Sequence, residues 1–283
     1  MIWISCSVVS VQCALLRFHN AQSAVNAHRF LYYAFLKTET SVTIAKLRCE
    51  KCTRKDRILI KVHLDLALYL KEYIGSHLKP ITLLLPLSYF QHKDVVHLAQ
   101  DLIGKILITE TDGIQTSGII VETEAYRGAD DRACHAFNYK RTARTETMFL
   151  EGGHAYVYLC YGIHSLFNIV VNREGEPDAV LIRALEPLEG IKIMKERRPK
   201  SKNHRITSGP GCLTKAMGIS LAQNALPLIS SNGIWLEEPN SPTPDFKIEA
   251  RTRIGVDYAG EDAKRLWRFL RVGGNSEKHR SKP

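Results

Sequence analysis

Cysteine is scarce and irregularly placed in this 283-residue chain. There are seven cysteines, an odd number without the spacing of a disulfide framework, so we expect a reducing compartment. Cys49 and Cys52 form one CxxC pair, but no second pair of ligands stands at zinc-finger spacing. The sequence therefore predicts neither disulfide bonds nor a metal site, and nothing in it points to a cofactor.

Long apolar runs and internal repeats are also missing. No stretch approaches the roughly 18 apolar residues that a membrane-spanning helix needs. Residues 1–16 are apolar and small residues follow them, yet the charged start of a signal peptide is absent. We therefore expect a protein that is neither secreted nor attached to a membrane.

Positive charge exceeds negative charge, with a formal net charge of +10, and part of the excess is clustered. One run contains a single acidic residue, Glu196, among seven basic ones: Lys192, Lys195, Arg197, Arg198, Lys200, Lys202 and Arg205. Such a run is usually a solvated helix end, and its alternative is a patch that contacts phosphates. Because of the motifs described next, we favour the interpretation that these basic residues contact phosphates.

An unusual strand is predicted at VETEAY, residues 121–126. A period of two places Glu122, Glu124 and Tyr126 on one face, opposite an apolar set that includes Ile119 and Thr123. Taken alone, this pattern is typical of a solvent-facing edge strand. The alternative is a site that uses two carboxylates and an aromatic ring.

A hairpin is predicted within residues 153–171, which are rich in aromatic and β-branched residues. Its two strands meet near Tyr161 and Gly162, where glycine can supply the positive φ of a tight turn. Tyr161 would then project from the tip. An aromatic ring in that position is usually incidental, but it can also wedge between base steps of a nucleic acid.

The remaining pattern predicts a mixed α/β domain. Helices are expected over residues 94–103, 190–198 and 212–217. Strands are expected over residues 105–109, 118–126, 156–159, 167–171 and 180–184. Since short loops rather than crossover helices join these strands, we expect a mostly antiparallel sheet with peripheral helices.

Five blocks of the sequence follow one another in the order of a known family. They are VETEAYRGADDRACH at 121–135, MFLEGGHAYVYLCYGIHSLFNIV at 148–170, VLIRALEPLEG at 180–190, SGPGCLTKAMGI at 208–219 and RIGVDYAG at 253–260. In these blocks the chain resembles the alkyladenine (3-methyladenine, methylpurine) DNA glycosylase family. The resemblance implies a single compact domain around a curved, mostly antiparallel, barrel-like sheet with peripheral helices and a DNA-intercalating β-hairpin.

The resemblance also divides the chain. It predicts an N-terminal extension at 1–83, a DNA glycosylase domain at 84–271 and a basic C-terminal tail at 272–283. Residues 25–37 and 59–74 of the extension could form short amphipathic helices, but no motif is present. Three interpretations of the extension stay open: a basic arm that adds nonspecific DNA affinity, a targeting segment, or upstream sequence that is absent from the mature protein.

The activity that the resemblance implies is monofunctional base excision. Such an enzyme flips alkylated or deaminated purines, of the 3-methyladenine, 7-methylguanine, hypoxanthine and ethenoadenine type, out of duplex DNA and hydrolyses the N-glycosidic bond. We expect a monomer that acts on double-stranded DNA without a cofactor. It would be cytoplasmic and nucleoid-associated in a bacterium, or nuclear in a eukaryote.

The catalytic roles come from the resemblance. Glu124 matches the family's general base, which would deprotonate a water that attacks C1′. Strand alternation alone does not choose between Glu122 and Glu124. Arg183 matches a family arginine beside the attacking water, and its alternative role is a structural ion pair with one of the glutamates.

The same resemblance assigns the residues that hold the base. Tyr126, His135 and Tyr158 would stack on the flipped base, which tolerates many base identities. Asn168 would lie at the purine edge and help to exclude guanine. Tyr161 would fill the gap that the flipped nucleotide leaves in the duplex.

Contacts with the DNA backbone are predicted at Arg144, Met148 and Lys215. One position departs from the family pattern SGPxKL, because Cys212 stands where a lysine is common and Lys215 follows three residues later. This departure puts the phosphate contact carried over to this part of the chain in doubt.

Other function classes leave different signatures. A zinc nucleobase deaminase is excluded in its known form, because the chain has no His-x-Glu and no Pro-Cys-x-x-Cys. A bifunctional glycosylase with lyase activity would need a lysine in the pocket, which none of the five blocks places there. A non-catalytic lesion-binding protein is the remaining alternative, and the presence of Glu124 favours the enzyme.

Overall fold

The structure is a computed structural model that describes residues 84–202, 205–230, 233–239 and 246–273. The predicted extension at 1–83, with its two possible helices and its CxxC pair, lies outside the described residues. Residues 274–283, most of the predicted tail, also lie outside the described residues.

Within the described residues, eight strands form one antiparallel sheet that curls into a half-barrel. In chain order the strands are β1 (Ile106–Thr111), β2 (Ile114–Tyr126), β3 (Ala155–Cys160), β4 (His164–Val171), β5 (Asp178–Glu189), β6 (Ile234–Glu237), β7 (Lys247–Arg251) and β8 (Arg268–Val272). Their spatial order is β3-β4-β5-β2-β1-β6, while β8 pairs with both β2 and β7. The mixed α/β fold with a mostly antiparallel sheet is thus confirmed.

Strand β2 is the centre of the sheet rather than an edge. It pairs with β5. It also pairs with β1 over its first half and with β8 at residues 122–124. Its register against β5 shifts between Ile120 and Glu122. A bulge of this kind changes which face later residues point to, and Ile120 therefore lies in the main core together with Ala125. Ile119, predicted on the apolar face, is only half-buried.

In the part of the chain that the structure describes, four α-helices flank the sheet: α1 (Leu87–Phe90), α2 (Val95–Asp101), α3 (Ile191–Arg197) and α4 (Pro210–Met217). Asp94 caps α2, since its carboxylate accepts from the N–H groups of Val96 and His97 at 2.9 and 3.1 Å. The hydroxyl of Thr123 donates to the carbonyl of Ala99 at 2.6 Å and so joins β2 to α2. In the described part of the chain, no helix has the length and apolarity that crossing a bilayer requires.

The two larger hydrophobic clusters of the described residues lie on opposite faces of the sheet. The main core packs α2 and α4 against buried residues of the sheet such as Val180 and Ile182. A smaller cluster on the other face contains Met148, Tyr156 and Val170, with Tyr126 and Tyr158 packed against it. This second face carries the polar side chains that the sequence singled out.

Candidate active site

Five predicted site residues, together with Tyr156 and Glu122, share one face of four neighbouring strands. In spatial order these strands supply Tyr156 and Tyr158 from β3, Asn168 from β4, Arg183 from β5, and Glu122, Glu124 and Tyr126 from β2. Direct register partners form a row across the sheet: Glu124 opposite Leu181, Leu181 opposite Asn168, and Asn168 opposite Tyr156. Neighbouring strands are about 4.8 Å apart, so two strand spacings, roughly 10 Å, separate Glu124 from Asn168.

Glu124 is fully buried and held by three donors. Its Oε2 accepts from the Tyr126 hydroxyl at 2.8 Å and from Nη1 of Arg183 at 3.1 Å, while its Oε1 accepts from the backbone N–H of Ile254 at 2.9 Å. These partners fit an ionised carboxylate, which accepts at about four positions and donates at none. Donors of the described residues use three of these positions.

Arg183 bridges the two glutamates. Its Nε lies 3.0 Å from Oε1 of Glu122, and Nη1 of Arg268 approaches the same oxygen at 3.1 Å. Burial opposes the charge of Arg183, but Glu124 and Glu122 outweigh this effect and raise the pKa of the guanidinium above its ordinary value. The structural ion pair, one of the two roles that the sequence left open for Arg183, is therefore present. The place of Arg183 beside the attacking water stays a prediction. Neither glutamate faces solvent, so the edge-strand interpretation is wrong.

Residues 252–254, which precede β8 in the chain, supply the backbone N–H that contacts Glu124. Nε of Arg268 donates to the carbonyl of Thr252 at 2.8 Å, and Arg253 donates to the carbonyl of Ala125 at 2.8 Å. Arg253 also forms a two-pronged, fully buried ion pair with Asp131. These bonds hold residues 252–254 against β2 and so aim the N–H of Ile254 at Glu124.

Three aromatic rings form a wall next to the carboxylates. Tyr156 and Tyr158 stack with centroids 5.4 Å apart, and His135 meets Tyr158 edge-on at 4.6 Å. Nδ1 of His135 lies 3.0 Å from the Tyr156 hydroxyl. Burial, followed by the charge of Arg144, lowers the pKa of His135 to about 4. His135 is therefore a neutral ring at pH 7.

Arg144 lies on this wall. Its Nη2 is 3.3 Å from Nε2 of His135, and its guanidinium carbon is 4.8 Å from the centroid of the Tyr158 ring. Because a guanidinium only donates, Nε2 of His135 accepts here and Nδ1 carries the hydrogen. The sequence predicted a contact with the DNA backbone at Arg144, and that contact stays a prediction.

The ring of Tyr126 packs against the smaller hydrophobic cluster, and its hydroxyl contacts Glu124. Burial, reinforced by Glu124, raises the pKa of the Tyr126 hydroxyl well above its ordinary value, so the hydroxyl keeps its proton and donates to Glu124. The guanidinium carbon of Arg253 lies 4.9 Å from the centroid of this ring. A cation is thus fixed over Tyr126 as well.

Asn168 is 4% exposed and its amide nitrogen donates to the carbonyl of Tyr156 at 3.1 Å. This hydrogen bond offsets the free-energy cost of burying the amide, and it fixes the orientation of the amide on the face of the sheet that carries the site. Asn168 lies in the same row as Glu124, two strands away, and its place at the purine edge stays a prediction. The role in excluding guanine stays a prediction.

The hairpin predicted around Tyr161 is present between β3 and β4. The N–H of Ile163 donates to the carbonyl of Cys160 at 3.1 Å, and Tyr161 (φ 51°) and Gly162 (φ 70°) occupy the two central turn positions. Positive φ at both positions is typical of the tight turns that suit twisted hairpins. Tyr161 is 92% exposed, so a large ring is held in solvent at the tip.

The other two predicted backbone contacts lie in different environments. Met148 is only 2% exposed within the smaller hydrophobic cluster, which leaves its side chain no surface for a phosphate. Lys215 is exposed in the last turn of α4. The hydroxyl of Thr214 on the same helix donates to the carbonyl of Ser165, so α4 packs beside the base of the hairpin.

Part of the predicted basic patch is structural. Arg197 donates to the carbonyl of Ala216 at 3.0 Å, and Arg198 donates to the carbonyls of Arg205 and Ile206. These bonds fasten α3 to its neighbours. Lys192, on the same helix, is exposed and remains a candidate for contact with phosphates.

Several site residues were not identified from the sequence. Tyr156 shares its face with Tyr158, and a period of two on β3 could have indicated it. Arg253 falls in a matched block but carries no pattern of its own. Arg268 and the N–H of Ile254 reach the site only through the pairing of β8 with β2, which no local signal specifies.

Known proteins resemble this chain over the same region. Residues 89–275 match the family "Methylpurine-DNA glycosylase (MPG)". A protein of Chlamydia abortus is 46% identical over 189 residues, which cover 66% of this chain and 97% of that protein. Its name is "Putative 3-methyladenine DNA glycosylase", as is that of a Bacillus subtilis protein that is 45% identical over 194 residues, 67% of this chain and 93% of that protein.

The match therefore covers the sheet, the buried carboxylates, the aromatic wall and the hairpin together. Since it spans more than half of the chain and the described site lies inside it, the chain belongs to the methylpurine-DNA glycosylase family and is a DNA glycosylase, a hydrolase of N-glycosyl bonds.

Proposed function

We propose that this enzyme is a monofunctional glycosylase that acts as a monomer on duplex DNA. It removes alkylated or deaminated purines, with 3-methyladenine, the base named for its relatives, among them. Glu124 activates the water that replaces the base. The product is an abasic site.

One observation carries this proposal. The Tyr126 hydroxyl donates to Oε2 of Glu124 at 2.8 Å, so the ring that would stack on the base and the carboxylate that would activate water are in direct contact. A base against Tyr126 would then present its glycosidic bond near Glu124. This juxtaposition is what a hydrolysis at C1′ requires.

The reaction follows from the partners of Glu124. A water at the remaining acceptor position of the carboxylate gives its proton to Glu124 and attacks C1′ as the bond to the base breaks. The buried negative charge also stabilises the oxocarbenium-like transition state, because electrostatic effects are strong where water is excluded. Arg183 and Ile254 keep the carboxylate in place during this step.

The hairpin supplies access to the base. A nucleotide inside a duplex must leave the stack before its C1′ can reach a pocket. Tyr161 is held at the tip of the strand pair that also carries Tyr158 and Asn168, so insertion of the tip would bring the pocket to the extruded nucleotide. One chain contains all these parts, which supports a monomer.

Incubation with defined duplexes tests the proposal. Each duplex contains one hypoxanthine, ethenoadenine or 7-methylguanine, and abasic products are revealed by alkaline cleavage. We expect base release from the damaged strands and strand breaks only after alkali. Strand breaks without alkali would indicate a lyase, and tight binding to the damaged site without release would indicate a non-catalytic lesion-binding protein.

A further inference from the structure

The aromatic wall already holds a cation. The guanidinium of Arg144 lies 4.8 Å from the centroid of Tyr158 and donates to Nε2 of His135 at 3.3 Å. These are two of the three residues predicted to stack on the base. The face of an aromatic ring attracts one cation through its quadrupole, so Arg144 uses part of the attraction that a cationic base would find there.

The charge of Arg144 is not neutralised locally. No carboxylate among the described residues forms an ion pair with it. Arg253, over the Tyr126 ring, differs in this respect because Asp131 pairs with it through both oxygens. Arg144 is exposed to solvent and gives the edge of the pocket a positive charge that no carboxylate of the described residues pairs with.

Damaged purines differ in charge. Alkylation at ring nitrogens, as in 3-methyladenine and 7-methylguanine nucleotides, makes the base cationic, whereas hypoxanthine and ethenoadenine are neutral. A cationic base between Tyr126 and Tyr158 would lie near Arg144, and DNA bound over the site would exclude the water that screens two like charges. A neutral base would not meet this repulsion and could stack beside the guanidinium.

We propose that Arg144 is a specificity-determining residue of the base pocket, which shifts excision toward neutral damaged purines and away from cationic ones. This inference rests on the proposed function. It differs from the role predicted from the sequence, because a contact between Arg144 and a DNA phosphate would affect all lesions alike.

The test compares three variants. Single-turnover rates are measured for Arg144→Gln, Arg144→Lys and Arg141→Gln on duplexes with 7-methylguanine or ethenoadenine. Arg141→Gln is the matched control, because it also removes one positive charge from an exposed arginine on the same loop. Arg141 pairs with Glu146 and lies over Phe149 rather than over the aromatic wall. The diagnostic quantity is the 7-methylguanine to ethenoadenine rate ratio relative to the wild type, since alkylated bases leave more readily on their own.

We expect Arg144→Gln to raise this ratio roughly tenfold, a change of about 1.4 kcal/mol in selectivity. Arg144→Lys, which keeps a cation that can lie over the Tyr158 ring, and Arg141→Gln should leave the ratio within about twofold. An unchanged ratio in Arg144→Gln, or an equal loss of both rates, overturns the inference and favours the phosphate contact. A wild-type enzyme that releases neither base would instead refute the proposed function itself.

A measurement without DNA gives a second readout. Burial and then Arg144 hold the pKa of His135 at about 4, with Tyr156 and Tyr158 as the other titratable groups that face the ring. An NMR titration of His135 should show a higher pKa in Arg144→Gln and no change in Arg141→Gln. A pKa that stays the same in both variants would show that Arg144 does not reside on the wall in solution, which also overturns the inference.

Discussion

Replacement of Glu124 by glutamine tests the centre of the mechanism. The amide keeps the size of the carboxylate but cannot take a proton from water. Loss of a general base slows a reaction by about 10²–10⁴-fold, and the lost negative charge removes stabilisation of the transition state in addition. We therefore expect Glu124→Gln to lose at least 10²-fold in the single-turnover rate of base release, with affinity for lesion DNA retained.

The structure also gives the effect on stability. The amide oxygen of glutamine can accept from Tyr126 and Arg183, but its NH₂ group then faces the N–H of Ile254. One buried donor left without an acceptor costs about 1–3 kcal/mol. For a domain of this size that lowers Tm by roughly 2–12 °C, so a folded variant should remain for the assay at 25 °C.

Glu122→Gln is the matched comparison, because both glutamates are fully buried and both contact Arg183. It leaves Arg268 without its carboxylate, and breaking a buried ion pair costs about 3–5 kcal/mol. We expect a larger loss of Tm than in Glu124→Gln but a much smaller loss of rate for the protein that remains folded. Near wild-type turnover by Glu124→Gln, or greater catalytic sensitivity at Glu122, would refute the assignment.

Three further predictions concern the wedge, the pocket and its titration. Tyr161→Ala should slow excision from duplex DNA more than from single-stranded DNA, because the vacated stack is no longer filled; equal losses on both substrates would rule out a wedge. Asn168→Ala should raise release of guanine relative to hypoxanthine, since the 2-amino group of guanine no longer meets a fixed amide; single-turnover rates on the two duplexes measure this, and an unchanged ratio places the discrimination elsewhere. Because the pKa of His135 is lowered to about 4 from 6.5, the unfolded chain binds a proton that the folded chain does not, and stability should fall as pH decreases from about 6.5 to 4. Urea unfolding across this range should show a shallower decrease for His135→Gln, and identical slopes would contradict the shifted pKa.

The sequence predicted those parts of the fold that local pattern determines. The five strands expected from it are present, although β4 begins at His164 rather than at 167 and β5 runs to Glu189 rather than to 184. The helix expected at 94–103 is α2, which begins one residue later because Asp94 is its cap and ends two residues earlier, at Asp101. Strands β6, β7 and β8 were not predicted, because their stability depends on partners that are distant in the chain.

The same distinction applies to the site. Glu124, Tyr126 and Arg183 were found through matched blocks, and the structure places them in direct contact. Alternation could not separate Glu122 from Glu124, since both point to one face of β2. What separates them is their surroundings: Glu122 contacts two arginines, whereas Glu124 contacts Arg183, the Tyr126 hydroxyl and the backbone N–H of Ile254.

The buried charges beneath the aromatic wall are difficult to explain as a means of stabilising the fold. Moving charged groups out of water costs several kcal/mol each, and apolar residues of similar volume often stabilise a core as well or better. Here two glutamates are compensated by Arg183 and Arg268, and the sheet bulges where the first of them enters. Of the two glutamates, Arg268 contacts only Glu122, whereas Arg183 contacts both. Among the described residues, Glu124 therefore has one arginine partner, while its other partners are a hydroxyl and a backbone N–H. Because Arg268 pairs with Glu122 and not with Glu124, the Glu124 carboxylate keeps the acceptor position that the proposed hydrolysis needs for a water.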